Sequence, residues 1–370
     1  MSELSIDINK HIKYFTLCLN VLPSKYQDQD NNKLSLIYFC LQSLEILNDL
    51  KFNETEKGQF SKFIYDCYYT GNGFRSIMNS MGEKYEKPSI SSTFFAITNL
   101  ITLQSPINQH LDRFKIMDFL KDCQIKSGND KGSFAPTIDG ENQPFGDNDL
   151  RICYMAVCIR KYLKIDELPP SQMKDVDFSV IELEEYILRR LNYNGGFSCY
   201  QMSESHLGYT YCAIASLKLL DFDFSKINFD KTLNWILHRQ VNYPDILYDQ
   251  EAVNHEDFGG FNGRENKPSD TCYSWWSLGS LSILEDVKLA NLPKISSYLL
   301  MNQDRRTGGF GKNFDSSSDP YHSFLALSSL ALIKDSVEFI GKDELSEFDG
   351  TMSITKSSVD FCQSLTWPSL

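Results

Sequence analysis

Three side chains with different metal-binding atoms occur in two short motifs in the second half of the chain. Asp270 and Cys272 belong to the sequence DTC, and His322 ends the sequence DPYH. Carboxylate oxygen, thiolate sulfur and imidazole nitrogen all bind zinc, and three protein ligands leave the fourth tetrahedral position open, as in catalytic sites. The set predicts a zinc ion that activates a nucleophile, in particular a thiol, which coordination deprotonates. For Cys272 alone, the alternative is a buried thiol of an apolar helix.

Basic residues stand just ahead of the first motif, in the run GGFNGRENKPSDTCYSWW. Arg264 and Lys267 belong to this run, and on their own they could be ordinary charges of a solvated loop. Together with His206, Tyr273 and Lys312, which the repeats described next place at the same rim, they indicate a local diphosphate site. The chain has no Walker-type loop, so side chains must hold the phosphates.

These residues depend for their positions on a repeated pattern of glycine clusters. The tripeptide Gly-Gly-Phe occurs at Gly195–Phe197, Gly259–Phe261 and Gly308–Phe310, with degenerate forms at Gly71–Phe74 and Gly132–Phe134. Each cluster follows an amphipathic, helix-like run, and each is followed by a second, far more apolar run that is typical of a helix enclosed by others. Strand signals are weak.

The paired runs predict an all-α fold, an α/α barrel (toroid) of about six inner and six outer helices with a central cavity. Five glycine-marked units and an N-terminal pair, His11–Leu22 and Leu34–Leu47, make the six pairs, which could close into a ring without polar end caps. The 25 Phe, 19 Tyr and 4 Trp residues would make the cavity aromatic. A helical scaffold with an aromatic core and no activity fits the repeats alone equally well.

Alignment of the repeats on their Ser-Leu patterns places unusual polar residues at helix starts. In a ring of parallel inner helices these starts converge on one rim, where helix N-termini with free N–H groups favour an anionic ligand. The residues at one equivalent position are His206, Asp270 and Asp319; those at another are Tyr209, Tyr273 and His322, with Arg151 matching them in an earlier repeat.

Charge and composition limit the other classes of function. With 36 Lys and Arg against 49 Asp and Glu, the net charge of −13 argues against sequence-independent binding of nucleic acid. The start of the chain has no apolar signal stretch, and no run reaches the length of a membrane span, so we expect a cytoplasmic protein without such a span. The 10 cysteines, without CxxC pairs, should be mostly buried thiols. We expect one domain over 1–370, with a core over about 5–335 and a C-terminal tail over 336–370.

The run GGFNGRENKPSDTCYSWW with the later DPYH resembles the β-subunits of the protein prenyltransferases, and the resemblance extends from about Lys33 to Ile333. It implies an α/α-barrel β-subunit in an obligate heterodimer with a separate helical α-subunit. It also implies one zinc ion per β-subunit. The zinc ligands would be Asp270, Cys272 and His322; the isoprenoid diphosphate would be bound by His206, Arg264, Lys267 and Tyr273; and the isoprenoid and peptide cavity would be lined by Arg151, Tyr154, Cys212 and Trp276.

Three positions distinguish the members of this family. Ser35 stands where the farnesyl-transferring members resemble one another in having a bulky Trp, and a small residue there deepens the cavity for a twenty-carbon chain. Lys312 stands where the farnesyl and Rab-type members have Asp, and its ammonium can neutralise the departing diphosphate, so magnesium should not be required. Tyr321 departs from the type I pattern, which usually has Leu, and resembles the farnesyl type. Phe39 and Tyr321 are counted with the cavity lining.

The resemblance therefore implies the type I protein geranylgeranyltransferases as the nearest members. The expected reaction is zinc-dependent transfer of a geranylgeranyl group from geranylgeranyl diphosphate to the cysteine thiol of a C-terminal CaaX motif, with X often Leu, in small GTPases of the Rho/Rac type. The expected catalytic residues are Lys312, Tyr273 and His206. A cavity that buries the isoprenoid at about 0.8 kcal/mol per CH₂ can act as a ruler. The alternatives are a Rab-type or farnesyltransferase β-subunit and a non-catalytic α/α-barrel scaffold.

Overall fold

The structure is a computed structural model that describes residues 4–21, 29, 31–69, 72–77, 87–242, 255–284 and 286–368. Within these ranges it contains α-helices and three two-stranded antiparallel hairpins. The degenerate glycine cluster expected at Gly71–Phe74 falls partly outside the described residues, because Gly71 is not among them. The same holds for Leu22, the expected last residue of the first helix.

Helices make up most of the regular structure, and each hairpin strand is only two residues long. The helices are α1 (Ile8–Asn20), α2 (Lys33–Ile46), α3 (Glu54–Tyr65), α4 (Ile90–Thr102), α5 (Ile107–His110), α6 (Arg113–Cys123), α7 (Leu150–Tyr162), α8 (Pro170–Val176), α9 (Val180–Leu188), α10 (Leu207–Leu219), α11 (Asp230–Leu237), α12 (Thr271–Ile283), α13 (Leu292–Met301), α14 (Pro320–Ile333) and α15 (Lys356–Ser364). The hairpins pair β1 (Tyr68–Tyr69) with β2 (Gly73–Phe74), β3 (Thr137–Ile138) with β4 (Pro144–Phe145), and β5 (Phe348–Asp349) with β6 (Ile354–Thr355).

Six apolar helices form a closed inner ring. In chain order they are α2, α4, α7, α10, α12 and α14; each packs against the next, and α14 packs against α2. The helices α1, α3, α6, α9, α11 and α13 precede them one by one and form the outer layer. The prediction of an all-α toroid with six inner and six outer helices is therefore confirmed.

Five of the six inner helices begin at matching positions because side chains cap them. Ser89, Asp149, His206, Asp270 and Asp319 stand directly before α4, α7, α10, α12 and α14, and each accepts a backbone N–H from the first turn. Such a cap satisfies an N–H group that has no partner within the helix. The equivalence of His206, Asp270 and Asp319 that the repeats indicate is thus a shared capping position.

The register expected for Arg151 is wrong by one residue. Because Asp149 caps α7, Arg151 is the second residue of its helix, whereas Tyr209, Tyr273 and His322 are third residues of theirs. The position equivalent to His322 in α7 belongs to Ile152. The capping carboxylate also binds the guanidinium of Arg151, with Nη2 2.6 Å from Oδ2 of Asp149.

In the last four repeats, a glycine turn joins the outer helix to the next inner one and touches the neighbouring outer helix. At Gly195, φ is +97°, and a Cβ there would lie 2.3 Å from the carbonyl oxygen of Lys231 in α11. At Gly308, φ is +82°, and a Cβ would lie 2.4 Å from the carbonyl oxygen of Lys10 in α1. Only glycine fits such a position. The contact of Gly308 with α1 closes the outer layer between the last repeat and the first.

The junction between α1 and the last repeat, called the seam below, is held together by the buried imidazole of His11. Its Nδ1 accepts the N–H of Gly309 at 2.9 Å, and its Nε2 lies 2.7 Å from Oε1 of Gln303. Its ring stacks on Phe310 with the centroids 4.7 Å apart. Since Nδ1 accepts, Nε2 must carry the proton and donate to Gln303. The first helix is therefore attached to the last repeat through a neutral histidine.

The residues after 335 belong to the core, contrary to the expected C-terminal tail. Hydroxyls of three inner helices donate to backbone carbonyls of this segment: Tyr38 to Ser353 at 2.5 Å, Tyr154 to Thr351 at 2.9 Å and Tyr211 to Gly350 at 3.0 Å. Phe348, Ile354, Val359 and Cys362 are buried. The segment packs across the ring at the end away from the helix caps, because the apolar ends of the inner helices need a cover there.

Candidate active site

The open end of the ring is the rim formed by the starts of the inner helices. Half-buried side chains of these helices concentrate in their first two turns, and the outer layer covers the opposite faces, so these side chains border the central space. They include Phe95, Ile152, Met155, Tyr209, Tyr273, Trp276, Tyr321 and His322. The expected convergence of the helix starts on one rim agrees with this arrangement.

The structure brings the three predicted metal ligands together at this rim. One ligand atom of each of Asp270, Cys272 and His322 lies within 4.8 Å of the other two. Nε2 of His322 is 3.2 Å from Oδ1 of Asp270. The capping role of Asp270 fixes its carboxylate, since Oδ1 also accepts the N–H of Cys272 at 2.9 Å. The cap and first turn of α12 thus supply the oxygen and sulfur atoms, and α14 supplies the nitrogen.

The protonation of this cluster fits a site for a cation. Burial and the neighbouring Asp270 carboxylate raise the pKa of the Cys272 thiol well above its ordinary value. Burial alone would lower the pKa of His322, but its hydrogen bonds to Asp270 and Asp319 outweigh burial and raise it to about 9. Burial alone would raise the pKa of Asp270. Its hydrogen bonds with His322 and Cys272 outweigh burial and lower that pKa. His322 is therefore protonated and positively charged beside Asp270. A metal ion could take the place of that proton.

A carboxylate outside the cluster orients the imidazole. Nδ1 of His322 lies 2.6 Å from Oδ2 of Asp319, the residue that caps α14. This bond fixes the ring and leaves Nε2 directed at Asp270. A carboxylate behind a histidine is the usual partner of metal-binding imidazoles, because it sets the tautomer and raises ligand basicity. The donor set of oxygen, sulfur and nitrogen therefore fits zinc, with Asp319 as its support.

His206 and Tyr273 form a hydrogen-bonded pair next to the metal ligands. Nδ1 of His206 accepts the N–H of Gly208 at 3.0 Å, so Nε2 carries the proton and lies 3.1 Å from the Tyr273 hydroxyl. Burial, with the charges of Arg264 and Arg151, lowers the pKa of His206 to about 4. Burial raises the pKa of Tyr273 to about 12. At neutral pH both side chains are therefore uncharged hydrogen-bond donors.

Two of the three expected basic residues lie beside this pair or the metal cluster. Nζ of Lys312 is 3.8 Å from Oδ2 of Asp270. Nη1 of Arg264 donates to Oε2 of Glu204 at 3.1 Å. Lys267 is exposed and lines a surface depression of about 530 Å³ with Arg239 and Glu265. In the described part of the chain, the structure records no hydrogen bond or ion pair from Lys267 to the other rim candidates.

The loop that carries Arg264 approaches the rim closely because of a glycine. A Cβ on Gly263 would lie 2.0 Å from the ring of Tyr273, so the ring packs directly on the backbone of this residue. The carbonyl of Gly263 accepts the N–H of Leu207, the first residue of α10, at 3.0 Å. The loop is therefore held against both α10 and α12, and Arg264 follows at the mouth of the ring.

Aromatic rings line the central space below the rim. Phe39 contacts Tyr321, Phe95 and Phe324, with centroids 5.6, 6.3 and 5.6 Å apart. Trp276 lies beside Tyr211 at 5.2 Å. Ser35 is one turn before Phe39 in α2, half-buried, with its hydroxyl donating to the carbonyl of Asn32.

Two residues expected in the cavity lining, Tyr154 and Cys212, are buried. Tyr154 is almost fully buried, and its hydroxyl is bound to the C-terminal segment. Cys212 is also buried, within α10. Arg151 remains at the rim, exposed, with its guanidinium 5.7 Å from the ring centroid of Tyr209. Phe39, Trp276 and Tyr321 are half-buried and stay the predicted cavity lining.

Sequence reasoning missed two sets of contacts. Glu204, the partner of Arg264, precedes His206 by two residues, and its position near the aligned helix start was the available signal. The tyrosines that bind the C-terminal segment, Tyr38 and Tyr211, gave none, because the segment after 335 has no repeat with which to align it.

Comparison with known proteins is consistent with this architecture. Residues 6–354 match the family model described as the prenyltransferase alpha-alpha toroid domain. The chain is 28% identical over 355 residues to the geranylgeranyl transferase type-1 subunit beta of Arabidopsis thaliana, covering 88% of this chain and 85% of the relative. It is 29% identical over 343 residues to the protein farnesyltransferase subunit beta of Schizosaccharomyces pombe, covering 88% and 79%.

Among solved structures, the chain is similar to protein geranylgeranyltransferase-I of Candida albicans complexed with GGPP. The TM-score is 0.89 and the sequence identity 43%, with 97% of this chain and 99% of that chain covered. Within the described ranges, no helix has the length and apolar character needed to cross a membrane.

The chain belongs to the family of prenyltransferase alpha-alpha toroid domains, because the family model matches nearly its whole length. The expected resemblance to protein prenyltransferase β-subunits, and among them to the type I geranylgeranyl members, is confirmed, as is the expectation of an enzyme of that class.

Proposed function

We propose that this chain is the zinc-binding β-subunit of a type I protein geranylgeranyltransferase, active as a heterodimer with an α-subunit. The reaction is transfer of the geranylgeranyl group from geranylgeranyl diphosphate to the cysteine thiol of a C-terminal CaaX motif in small GTPases of the Rho/Rac type. The observation that carries the proposal is the contact between a three-ligand cluster and a cationic rim: Nζ of Lys312 lies 3.8 Å from the Asp270 carboxylate.

In the proposal, Asp270, Cys272 and His322 hold the zinc ion, and Asp319 orients His322. When bound, zinc would supply the charge that lets the substrate thiol lose its proton at neutral pH. The chain then needs no histidine as general base, which agrees with His206, because its Nδ1 already accepts the N–H of Gly208 and its Nε2 carries the proton.

The rim residues act on the diphosphate. The reaction breaks the bond between C1 of the isoprenoid and the diphosphate oxygen, forms the thioether bond to sulfur, and leaves negative charge on the departing oxygen. The Nε2–H of His206, the hydroxyl of Tyr273 and the charges of Arg264, Lys267 and Lys312 stabilise that charge, the kind of interaction that is commonly the largest in catalysis. The ammonium of Lys312 takes the place of magnesium in this proposal.

The farnesyl class is the second candidate, and Tyr321 is the observation that favours it. Its ring contacts Phe39 at 5.6 Å and His322 at 5.0 Å, so it lies between the cavity lining and the proposed metal site. A side chain there would touch both the isoprenoid and the last residue of the peptide. It therefore bears on the choice of Leu or Met at the final position.

The direct test is single-turnover transfer by the chain co-expressed with an α-subunit. Geranylgeranyl and farnesyl diphosphate are each offered with peptides ending in Cys-a-a-Leu and Cys-a-a-Met, with magnesium present or chelated. Magnesium-independent geranylgeranylation of the Leu peptide is the expected result, and the Met/Leu ratio reports the effect of Tyr321. Transfer only from the farnesyl donor, or only to an intact Rab-like protein, would overturn the type I assignment.

Replacement of Ser35 by tryptophan should shift donor preference from the twenty-carbon towards the fifteen-carbon chain. A bulky ring one turn before Phe39 would occupy space for the last isoprene unit, whose five carbons contribute about 4 kcal/mol at most when buried. The measurement is the ratio of kcat/KM for the two donors in mixed-donor competition. Ser35→Ala is the matched control and should keep the wild-type ratio. An unchanged ratio in Ser35→Trp would contradict the proposal that the depth of the cavity selects the length of the donor.

A further inference from the structure

A carboxylate stands among the groups proposed to bind an anion. Nη1 of Arg264 and Oε2 of Glu204 are 3.1 Å apart, with the side chains 43% and 48% exposed. Within the described ranges, Glu204 is the only carboxylate at ion-pair distance from Arg264. It precedes His206 by two residues, and it also acts electrostatically on that imidazole. An anionic ligand that reached Arg264, His206 and Tyr273 would therefore meet Glu204 as well.

The fold does not require this ion pair. The Glu204 loop is held by other bonds, from Asn192 to the carbonyl of Ser203 at 2.7 Å and from Ser205 to Asn194 at 2.8 Å. The Arg264 loop is held by its backbone contact with Leu207. An ion pair as exposed as this one adds little to stability, since solvent screens it. Its effect should therefore be on the ligand that competes for the guanidinium.

We propose that Glu204 is an electrostatic gate for the diphosphate: it holds Arg264 while the site is empty and opposes the anionic donor, so that the guanidinium must change partners when the donor binds. This inference rests on the proposed function, because it takes Arg264 as a diphosphate ligand. The same repulsion acts on the inorganic diphosphate left after transfer and promotes its release. Glu204 is thus a positioning residue that works through Arg264.

The test compares Glu204→Gln with wild type in the complex with the α-subunit. Dissociation constants for geranylgeranyl diphosphate and for inorganic diphosphate are measured by calorimetry at low and high salt. Glu204→Gln should bind both ligands about fivefold more tightly at low salt, the size expected for one exposed charge pair. The gain should shrink at high salt, because the charges are exposed. The KM for the peptide should not change.

Glu265→Gln is the matched control. Glu265 follows Arg264 directly and undergoes the same loss of charge, but its carboxylate binds Trp235 at 2.9 Å and lies 3.9 Å from Arg239 instead. It should change neither dissociation constant by more than about twofold, because no bond to Arg264 is lost. Equal tightening in both variants would show a general effect of charge and overturn the gate.

A double variant shows whether the effect passes through Arg264. In the Arg264→Ala background, the further change Glu204→Gln should have less than about half its effect on the free energy of binding, since coupled residues are not additive. Unchanged or weaker binding in Glu204→Gln, while wild type binds both ligands, would overturn the gate alone. Failure of wild type to bind either ligand would overturn the proposed function together with it.

Discussion

Replacement of Cys272 by alanine should remove the bound zinc and lower kcat/KM at least about a hundredfold, because a three-ligand site that loses one ligand also loses the geometry that orients the substrate. In wild type the three ligand atoms lie within 4.8 Å of one another. The variant would keep those of Asp270 and His322 and lose the third. The measurement is zinc per heterodimer by elemental analysis, together with single-turnover transfer.

Cys158→Ala is the control for this change. Cys158 is fully buried in α7, like Cys272 a cysteine of an inner helix, and it belongs to no ligand cluster of the described residues. Both variants lose the same volume, so similar unfolding midpoints would separate metal loss from damage to the core. Stoichiometric zinc in Cys272→Ala would contradict the proposed site, and wild type purified without zinc would favour the non-catalytic scaffold.

Acid should weaken the seam between the first helix and the last repeat. Burial is the main cause that lowers the pKa of His11 to about 4, from an ordinary value of 6.5. Below about pH 6.5, His11 binds a proton in the unfolded chain. In the folded chain it binds that proton only near pH 4. The contribution of His11 to the free energy of unfolding is complete above pH 6.5 and falls by about 3 kcal/mol as the pH approaches 4.

The check is denaturant unfolding between pH 7.5 and 4.5 for wild type and His11→Asn. The asparagine can still accept the N–H of Gly309, but it cannot titrate, so its free energy of unfolding should fall less with pH. Both proteins keep His206 and His322. The difference between their free energies of unfolding therefore reports on His11 alone. His238→Asn, at an exposed position, should follow wild type. Parallel curves for wild type and His11→Asn would contradict the role given to the seam.

The repeated helix pairs could be predicted from the sequence because the same local signals recur at the start of successive inner helices. Helices α10 and α12 begin directly after His206 and Asp270, which the repeat alignment places at one position of the helix starts, since a capping side chain and a glycine turn mark each start. Arg151 was misplaced because its repeat has only a degenerate glycine cluster, and the capping by Asp149, which decides the register, is invisible in a Ser-Leu alignment. The predicted ligands were brought together because DTC and DPYH stand at equivalent, adjacent helix starts.

The remaining contacts could not be predicted from local pattern. Glu204 and Arg264 lie on different loops and meet through the packing of α10 against α12. The segment after 335 has no periodicity of its own, and its place depends on hydroxyls from three separate helices. Lys267 is expected among the diphosphate residues from its place ahead of the first metal motif and from the resemblance. Its role stays a prediction, because a loop does not fix the direction of a side chain as a helix does.

The seam at Gly308 has a consequence for the synthesis of the protein. Its contacts join residues about three hundred positions apart, from Lys10 and His11 to Gln303 and Gly309. On the ribosome, the early helix pairs can form only an open arc, with one apolar flank of α1 and α2 uncovered until the last pair emerges. Ring closure is therefore a late event with a large loop-closure cost, and the nascent chain should depend on chaperones until its final repeat is translated.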